Sequence, residues 1–369
     1  MSDRPLRILQ LYPKADYFTG AAIQLRELAR GLVARGHTVI VATPPGHGAR
    51  IATAGVEHVI LPLRRAWDPR GVWRLRRLVR GRRIDVIHAH KGRARTLAIL
   101  AGLLGPRPPL VLNRGVSFVP GRLNRLGYTT RRVDAIVAVC RSIKHDLVAI
   151  GVPADKIEVI YSGTDVRRFH PGIDGAALRG ELGLAADHFV VTQIGVRSWR
   201  GWSDTLDAMR DVAPAAPAAR LLFVGAPAPA VARLSDRARE LGIGDRVLVV
   251  GPREDMPVVM AASDVVVAAS WAGLGITGSI REALASARAV VATRMAGMPE
   301  LVIDGETGLL VPPREPHALA AAILRLHADP TWRHELGRAG RKRVEAEFSL
   351  DAKIDATERL YRRLIDRGT

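Results

Sequence analysis

Residues 264–293 read DVVVAASWAGLGITGSIREALASARAVVAT, and this stretch decides the predicted fold. It begins and ends with short valine- and alanine-rich runs that predict buried strands, and its centre carries a helical pattern. A strand, a helix and a second strand in this order form the repeating unit of a parallel sheet that helices cover on both faces. The stretch therefore predicts an α/β protein of the doubly wound type.

The same alternation continues along most of the chain. A polar stretch at 167–188 interrupts it once, and 369 residues are more than one hydrophobic core usually supports. We therefore expect two Rossmann-like doubly wound domains, residues 1–175 and 176–346, that face each other across a ligand cleft. A C-terminal helix is expected at 347–369. One possible arrangement is that this helix crosses back and packs against the first domain. The predicted strands lie at 6–11, 38–43, 56–63, 85–90, 109–113, 135–140, 157–163, 189–195, 220–225, 247–251, 264–270, 289–293 and 308–313.

Positive charge is concentrated in the first half of the chain. Residues 1–180 contain 31 Lys and Arg against 12 Asp and Glu, an excess of 19 that equals the net charge of the whole chain. This asymmetry indicates an anionic partner for the first domain only, such as a membrane surface, a phosphorylated acceptor or nucleic acid. Nucleic acid is disfavoured, because no known nucleic-acid-binding module is present and only 5% of residues are aromatic.

The segment RRAWDPRGVWRLRRLVRGRR, residues 64–83, holds nine of these arginines. As a helix it would place Val72, Leu75 and Val79 on one face and most arginines elsewhere, which is typical of a helix that rests on an anionic membrane. An ordinary packing helix with a solvated basic side explains the pattern about equally well. We expect peripheral association with a membrane.

The compartment follows from cysteine content and hydropathy. Cys140 is the single cysteine, so no internal disulfide can form and a reducing compartment fits best. The N-terminus lacks a signal-peptide pattern, and the apolar runs are much shorter than a membrane span. We expect a cytoplasmic protein on the inner face of the membrane.

The loop at the centre of the opening stretch has the composition of an anion site. Its small residues allow backbone N–H groups to approach a ligand, and the helix that follows favours negative charge at its N-terminus. A diphosphate fits this position. A capping box formed by Ser279 and Glu282 is the alternative, with about even odds. The glycine and hydroxyl residues of the loop are Gly273, Gly275, Thr277, Gly278 and Ser279.

Two other segments offer contacts to the same ligand. IGVRSWRGW, residues 194–202, follows a predicted strand and carries Arg197 and Arg200, which can donate paired N–H bonds to phosphate. A solvated arginine pair is the plainer interpretation. In the first domain Gly20 and Ala21 begin a helix and can bring backbone N–H groups to the cleft, although a simple helix start accounts for them nearly as well.

Candidate acceptor contacts come from the basic domain. The segment DVIHAHKGRART places His90, Lys91 and Arg93 at and after a predicted strand end. A histidine at such a position is more often structural than catalytic. Arg114 follows the next strand, and no catalytic base is assigned.

The motifs in order resemble those of the retaining GT-B glycosyltransferases of family 4. The resemblance covers nearly the whole chain and includes TGAA (19–22), DVIHAH (85–90), VIYSGTDVRRFHP (159–171), VRSWRGW (196–202), GLGITGSIREALA (273–285) and VVATRMAGMPELVIDGETGLLVPP (290–313).

The resemblance implies roles for individual residues. Arg197 and Arg200 would neutralise the departing diphosphate, although the family has lysine at the second position. Glu282 would bind the ribose hydroxyls, while Leu274 replaces the first glutamate of the family's E-x7-E signature. Amides of Gly278 and Ser279, beside Thr277, would hold the distal phosphate. The backbone of Gly251, Pro252 and Arg253 would face the base.

The implied activity is that of a hexosyltransferase. Such an enzyme would transfer a sugar from a nucleotide-diphosphate sugar, with retention of configuration, to a lipid- or lipopolysaccharide-linked glycan. No D-x-D pair occurs, so the sequence lacks the paired carboxylates that would hold a divalent metal on the diphosphate, and no metal is expected. No other cofactor is expected, since the nucleotide-diphosphate sugar is the donor substrate. A nucleotide-sugar epimerase or phosphorylase of similar fold is an alternative, and Leu274 leaves open a relative that only binds.

Overall fold

The computed structural model describes residues 4–14, 19–46, 55–62, 67–103, 107–118, 121–273 and 275–367. The chain forms two compact units, one of Met1–Gly163 with Leu350–Thr369 and one of Thr164–Ser349. The division therefore falls twelve residues before the boundary expected after residue 175. Residues 164–175 belong to the second unit because long-range hydrogen bonds hold them there. Arg341 Nη1 donates to the carbonyl of Phe169 at 3.1 Å, and Arg168 Nη2 donates to that of Glu254 at 3.1 Å.

The first unit contains a seven-stranded parallel sheet. Its strands are β1 Arg7–Leu11, β2 Thr38–Thr43, β3 Val56–Ile60, β4 Val86–His90, β5 Leu110–Arg114, β6 Ala135–Ala138 and β7 Ile157–Val159, in the order β3-β2-β1-β4-β5-β6-β7. In the centre of the sheet, Ile8 lies opposite Val39 of β2 and Val86 of β4. The helices are α1 Gly20–Ala34, α2 Pro69–Gly81, α3 Gly92–Ala101, α4 Arg122–Thr129 and α5 Arg141–Ala149.

The second unit repeats this architecture with a six-stranded parallel sheet. Its strands are β8 Phe189–Ile194, β9 Ala219–Val224, β10 Val247–Val250, β11 Val265–Ala268, β12 Ala289–Thr293 and β13 Leu309–Val311, in the order β10-β9-β8-β11-β12-β13. The helices are α6 Ala176–Glu181, α7 Trp202–Val212, α8 Ala228–Glu240, α9 Met256–Ala262, α10 Gly278–Ala285, α11 Met298–Leu301, α12 Pro316–Ala328 and α13 Pro330–Glu347. The prediction of two doubly wound α/β domains is confirmed.

The last helix, α14 Leu350–Asp366, packs in the first unit. Its Ile354 lies so close to α1 that a Cβ atom on Gly31 would come within 2.0 Å of the Ile354 side chain. Helix α1 buries Leu25, Leu28 and Leu32 at helical spacing against the sheet. The glycine at position 31 therefore lets α14 approach α1 closely.

Each sheet reverses its strand order at one point, and this point fixes where ligands bind. The reversal lies between β1 and β4 in the first unit and between β8 and β11 in the second. Open parallel sheets bind ligands beyond the carboxyl ends of the strands at such switch points. The connections that leave β1, β4, β8 and β11 are therefore the places to examine for function.

Candidate functional site

The turn after β8 is fixed by a glycine that no other residue can replace without strain. Gly201 has φ +66°, and a Cβ atom there would lie 2.0 Å from the carbonyl oxygen of Ala269. The short 3-10 turn Ser198–Arg200 before it carries Arg200, with Arg197 at its N-terminal end. Close contact with the residue after β11 thus sets the direction of both arginines.

A buried glutamine on β8 holds the same turn from beneath. Gln193 Nε2 donates to the carbonyl oxygen of Arg200 at 3.1 Å and to that of Gly195 at 3.4 Å. Its Oε1 accepts a hydrogen bond from the hydroxyl of Thr205. Gln193 was not singled out from the sequence. A polar residue near the end of an otherwise apolar buried strand, FVVTQI, is the signal that could have identified it.

The two arginines form a cationic pair at the switch point. Arg197 is exposed, with its guanidinium 5.4 Å from the centre of the Trp199 ring, and Arg200 is half-buried. Burial and, to a smaller extent, the charge of Arg197 lower the pKa of Arg200. Neither guanidinium has a hydrogen bond or ion pair to another residue in the described part of the chain. Two adjacent cations with no acidic partner are the arrangement that an anion would stabilise.

The glycine-rich loop lies beside this pair. The Trp271 amide donates to the carbonyl oxygen of Trp199 at 3.0 Å, which joins the loop to the arginine turn. The loop ends at α10, whose N-cap residue is Thr277 and which has no side-chain cap bond. Ser279 is the second helical residue, so the capping box with Glu282 does not form. The first N–H groups of an uncapped helix are open to a ligand.

Glu282 is consequently available for another role. It is half-buried, and its carboxylate makes no hydrogen bond within the described ranges. Burial raises the pKa of Glu282, while Arg281 and Arg168 act in the opposite direction. A carboxyl group in this state can accept hydrogen bonds from hydroxyl groups of a ligand.

Arg281, which the sequence analysis missed, supports the loop from inside the unit. It is 3% exposed, and its guanidinium donates to Thr164 Oγ1 at 3.2 Å and to the carbonyl oxygen of Ile276 at 3.4 Å. Burial lowers the pKa of Arg281 to about 10. No sequence pattern indicated this role, because an arginine in a helix is usually solvated. Its partner Thr164 is 117 residues away in the chain.

The segment after β10 carries the residues expected near the base. Gly251 and Pro252 are exposed there. The Arg253 guanidinium is fully engaged, with Nη1 2.7 Å from Glu181 Oε1 and Nε 2.8 Å from Asp255 Oδ1. This segment therefore offers its backbone, and not the Arg253 side chain, to a ligand.

In the first unit, Gly20 and Ala21 begin α1 after β1. Thr19 is the N-cap residue, and its side chain accepts a hydrogen bond from the Ala22 amide at 3.4 Å. The Tyr12 hydroxyl lies 3.0 Å from Thr19 Oγ1. The helix start is thus capped by its own side chain, which matches the plainer of the two interpretations of this segment.

His90 belongs to a buried network and not to an open surface. Its Nε2 lies 2.6 Å from Gln10 Oε1, and its ring stacks on His88 with centroids 4.5 Å apart. The hydroxyl of Tyr361 on α14 lies 2.6 Å from His88 Nδ1. Burial lowers the pKa of His88 to about 3 and holds that of His90 well below its ordinary value. Both rings are neutral, which favours a structural role for His90.

Lys91 has the most strained backbone near the switch point of this unit. Its φ of 72° and ψ of 164° lie in a region that is essentially restricted to glycine, at a cost of about 1–3 kcal/mol. Its Nζ lies 3.4 Å from the Tyr12 hydroxyl. With exposed Arg93 and with Lys14 it lines an open pocket of about 680 Å³, counting space continuous with solvent. No acidic residue is among the described residues that line it.

Arg114, at the end of β5, is engaged within its own loop. Its Nη1 donates to the Tyr128 hydroxyl at 3.2 Å, and its Nη2 donates to the carbonyl oxygen of Phe118. The buried guanidinium of Arg95 lies 4.4 Å from the centre of the same Tyr128 ring. These bonds occupy the Arg114 guanidinium, so the structure does not support Arg114 as a contact to the acceptor.

Helix α2 buries its apolar face within the first unit, although this helix was expected to rest on a membrane. Leu75 and Val79 are buried, while Trp73 is 59% exposed and Arg77 lies 5.6 Å from the centre of its ring. The ordinary packing interpretation is therefore correct for the apolar face. What the helix presents outward is a mixed surface of tryptophan and arginine.

The ranges of the chain that the structure describes contain no group of three or more His, Cys, Asp or Glu side chains able to hold a metal ion. They also contain no helix long and apolar enough to cross a membrane. Leu274, in the glycine-rich loop, lies outside the described residues.

Each unit is a Rossmann-like parallel α/β sheet, and two such units in one chain match the GT-B fold of solved glycosyltransferases. Comparison with known families gives a closer assignment. The model described as Glycosyltransferase Family 4 matches residues 18–168, and the model described as Glycosyl transferases group 1 matches residues 188–329. The chain belongs to this glycosyltransferase family.

Curated relatives agree with this assignment. The α-maltose-1-phosphate synthase of Mycolicibacterium smegmatis is 31% identical over 63% of this chain and 63% of its own length. The D-inositol 3-phosphate glycosyltransferase of Mycobacterium bovis is 32% identical over 76% of this chain and 57% of its own length. The matched region thus spans less than two thirds of either relative.

Among solved structures, HepE of Anabaena in complex with UDP has the same fold, with a TM-score of 0.86. It is 23% identical to this chain, and the match covers 96% of this chain and 99% of the HepE chain.

Proposed function

We propose that this protein is a retaining glycosyltransferase that takes a sugar from a nucleotide-diphosphate sugar. The observation that carries the proposal is the unpaired arginine couple, Arg197 and Arg200, at the switch point of the second unit, beside the uncapped start of α10. Family membership supports the reaction class. We take the transferred sugar to be a hexose, because HepE is also known in complex with UDP-glucose.

In the proposed reaction the bond between the anomeric carbon and the diphosphate oxygen breaks as the acceptor hydroxyl oxygen bonds to the same face of that carbon. The departing diphosphate retains the bonding electrons and takes up the hydroxyl proton. Arg197, Arg200 and the amides of Gly278 and Ser279 would stabilise the negative charge that develops on it. No resident cofactor or metal is part of the proposal.

Glu282 completes the donor site in this proposal by accepting hydrogen bonds from the ribose hydroxyls. Exposed backbone at Gly251 and Pro252 would face the base. UDP is the first nucleotide to test, because HepE binds it.

The acceptor side is assigned to the first unit. The pocket with Lys14, Lys91 and Arg93 fits an acceptor that carries an anionic group, such as the phosphate of a lipid- or lipopolysaccharide-linked glycan. Strain at Lys91 agrees with a functional position. One relative is named D-inositol 3-phosphate glycosyltransferase, and that name contains a phosphorylated sugar alcohol.

Peripheral membrane association is a separate part of the proposal. Trp67 is 69% exposed and Trp73 is 59% exposed, next to the exposed Arg70, Arg74 and Arg77. Exposed tryptophan with arginine is the composition of a surface that enters the headgroup region of an anionic leaflet. Binding to phosphatidylglycerol vesicles that falls as salt rises would support this part. No binding at low salt would refute it.

The reaction is tested by incubating the purified protein with UDP-, GDP- and ADP-sugars and measuring release of the nucleoside diphosphate with candidate acceptors. Arg197→Ala and Glu282→Ala should abolish turnover while thermal unfolding of both variants stays cooperative. Retained turnover in both variants would refute the site. Conversion of the sugar nucleotide without release of nucleotide would indicate an epimerase.

A further inference from the structure

Arg281 is a buried arginine whose guanidinium lies at the start of α10. It is the fourth residue of this helix, and long side chains in a helix extend toward the turn that precedes them. Its Nη1 donates to the carbonyl oxygen of Ile276, just before the helix, at 3.4 Å, and its Nε donates to Thr164 Oγ1 at 3.2 Å. These two bonds fix the guanidinium and leave Nη2 as its one nitrogen that makes no hydrogen bond in the described part of the chain.

The nitrogen Nη2 lies beside Gly278, the first residue of α10. A Cβ atom on Gly278 would stand 3.8 Å from Arg281 Nη2 and 3.9 Å from Glu282 Oε1. Because glycine has no side chain, a ligand can occupy this position. Gly278 and Glu282 are both half-buried, so the position can be reached from solvent. We call it the Gly278 slot, and its walls are Gly278, Arg281 and Glu282.

The charge of Arg281 is not neutralised by direct contact. Arg281 is 3% exposed and forms no ion pair with any residue in the described ranges. Glu282 attracts its guanidinium electrostatically but makes no hydrogen bond to it. A buried cation without a paired anion opposes folding of the free protein. An anion bound at Nη2 would offset this cost, and the N–H groups at the helix start favour the same charge.

The Gly278 slot suits a ligand that brings a phosphate oxygen and a hydroxyl group close to each other. Arg281 Nη2 can donate to the phosphate oxygen, while the Glu282 carboxylate can accept a hydrogen bond from the hydroxyl group. A nucleoside diphosphate carries these groups on its distal phosphate and on its ribose. The chemistry of the slot therefore matches a nucleotide more closely than a simple anion.

We propose that Arg281 is a third cation of the donor site and that its Nη2 donates to the distal phosphate. The inference rests on the proposed function and adds to it a residue outside the arginine turn that follows β8. The distal phosphate bears the oxygen from which the sugar departs, so negative charge grows on this phosphate as that bond breaks. Arg281 therefore favours a nucleoside diphosphate over the monophosphate, which lacks this group.

The test compares diphosphates with monophosphates. Calorimetric titration of the full chain with UDP and UMP, GDP and GMP, and ADP and AMP gives the ratio of the two affinities for the nucleotide that binds. Arg281→Met removes the cation and keeps a long side chain. Thr164→Val is the matched control for a structural role, because it removes one hydrogen bond of Arg281 but not its charge. Arg338→Met removes an exposed positive charge elsewhere in the second unit.

Arg281→Met should weaken diphosphate binding about tenfold, through loss of one charge-assisted hydrogen bond, and change monophosphate binding by less than about twofold. Thr164→Val and Arg338→Met should leave the ratio of affinities within about twofold of the wild-type value, since neither removes a contact to the distal phosphate.

Gly278→Ala examines the same slot without a change at Arg281. Gly278 does not have a positive φ, and its new Cβ would meet Arg281 Nη2 at an ordinary contact distance, so the free variant should be at least as stable as the wild-type protein. The added methyl group occupies the slot and should lower the ratio of diphosphate to monophosphate affinity.

An unchanged ratio in Arg281→Met would overturn the inference and leave the site of Arg197 and Arg200 standing. If Arg281→Met does not fold, an unchanged ratio in Gly278→Ala has the same meaning. Equal loss of both nucleotides in Arg281→Met and Thr164→Val would give Arg281 a structural role and also overturn the inference. Absence of nucleotide binding by the wild-type protein would refute the proposed function itself, and the inference with it.

Discussion

Replacement of Glu282 by glutamine distinguishes between two roles of this residue, capping of α10 and binding of a ligand. The substitution keeps the shape of the side chain and removes its charge. In the structure Glu282 makes no hydrogen bond to the first turn of α10, so the free protein loses no capping energy. Because burial raises the pKa of Glu282, ionisation of this carboxyl opposes folding, and the neutral amide relieves that opposition above the raised pKa. The free variant should be as stable as the parent or more stable at neutral pH.

Ligand binding should change in the opposite direction. A hydrogen bond to a charged group contributes about 1.5–3 kcal/mol and one to a neutral group about 0.5–1.5 kcal/mol, and the glutamine oxygen can still accept, so the substitution should weaken nucleoside diphosphate binding by about 5- to 10-fold. Differential scanning fluorimetry gives the stability and isothermal titration calorimetry gives the affinity. Glu335→Gln, on an exposed part of α13, is the control for removal of one negative charge. A lower melting temperature with unchanged affinity would refute the assignment and restore the capping role.

Two further predictions concern the framework of the site. Gly201→Ala should abolish nucleotide binding and destabilise the second unit by at least about 1–2 kcal/mol, the cost of a left-handed non-glycine residue, because its Cβ would also meet the Ala269 carbonyl oxygen at 2.0 Å. Urea unfolding with calorimetry checks both effects, and unchanged binding would contradict the described turn. The second prediction is that stability falls on acidification from pH 7 to 5, since His88 and His90 have lowered pKa values and the unfolded chain binds their protons first. The loss should approach about 2 kcal/mol per histidine at pH 5, and a pH-independent urea midpoint in this interval would contradict the buried neutral pair.

Secondary-structure elements that depend on local sequence patterns were predicted correctly. The predicted strand TVIVAT coincides with β2, and the helix start predicted at Gly20 is the first residue of α1. The segments that carry Arg197, Arg200 and the glycine-rich loop were predicted to follow strands, and they do follow β8 and β11, because short apolar runs that end at small or polar residues mark strand ends. Alternating strands and helices also sufficed to predict two doubly wound units.

Features that depend on distant partners could not be predicted. Residues 164–175 contain polar and glycine residues typical of a linker, yet hydrogen bonds from Arg341 and to Glu254 place them in the second unit. The buried contact of His88 with Tyr361 joins positions 273 residues apart. The capping box failed because α10 begins at Gly278, one residue before the proposed cap, and sequence patterns place helix starts only within a few residues.

The central claim is that Arg197 and Arg200 form the diphosphate site of the second unit. The most direct measurement is calorimetric titration of the wild-type protein, Arg197→Ala and Arg200→Ala with UDP, GDP and ADP. Arg338→Ala, an exposed arginine of α13 in the same unit, is the control. We expect the wild-type protein and the control to bind one of the three nucleotides, and each site variant to bind it at least about tenfold more weakly. Equal affinity of the site variants and the control would contradict the claim.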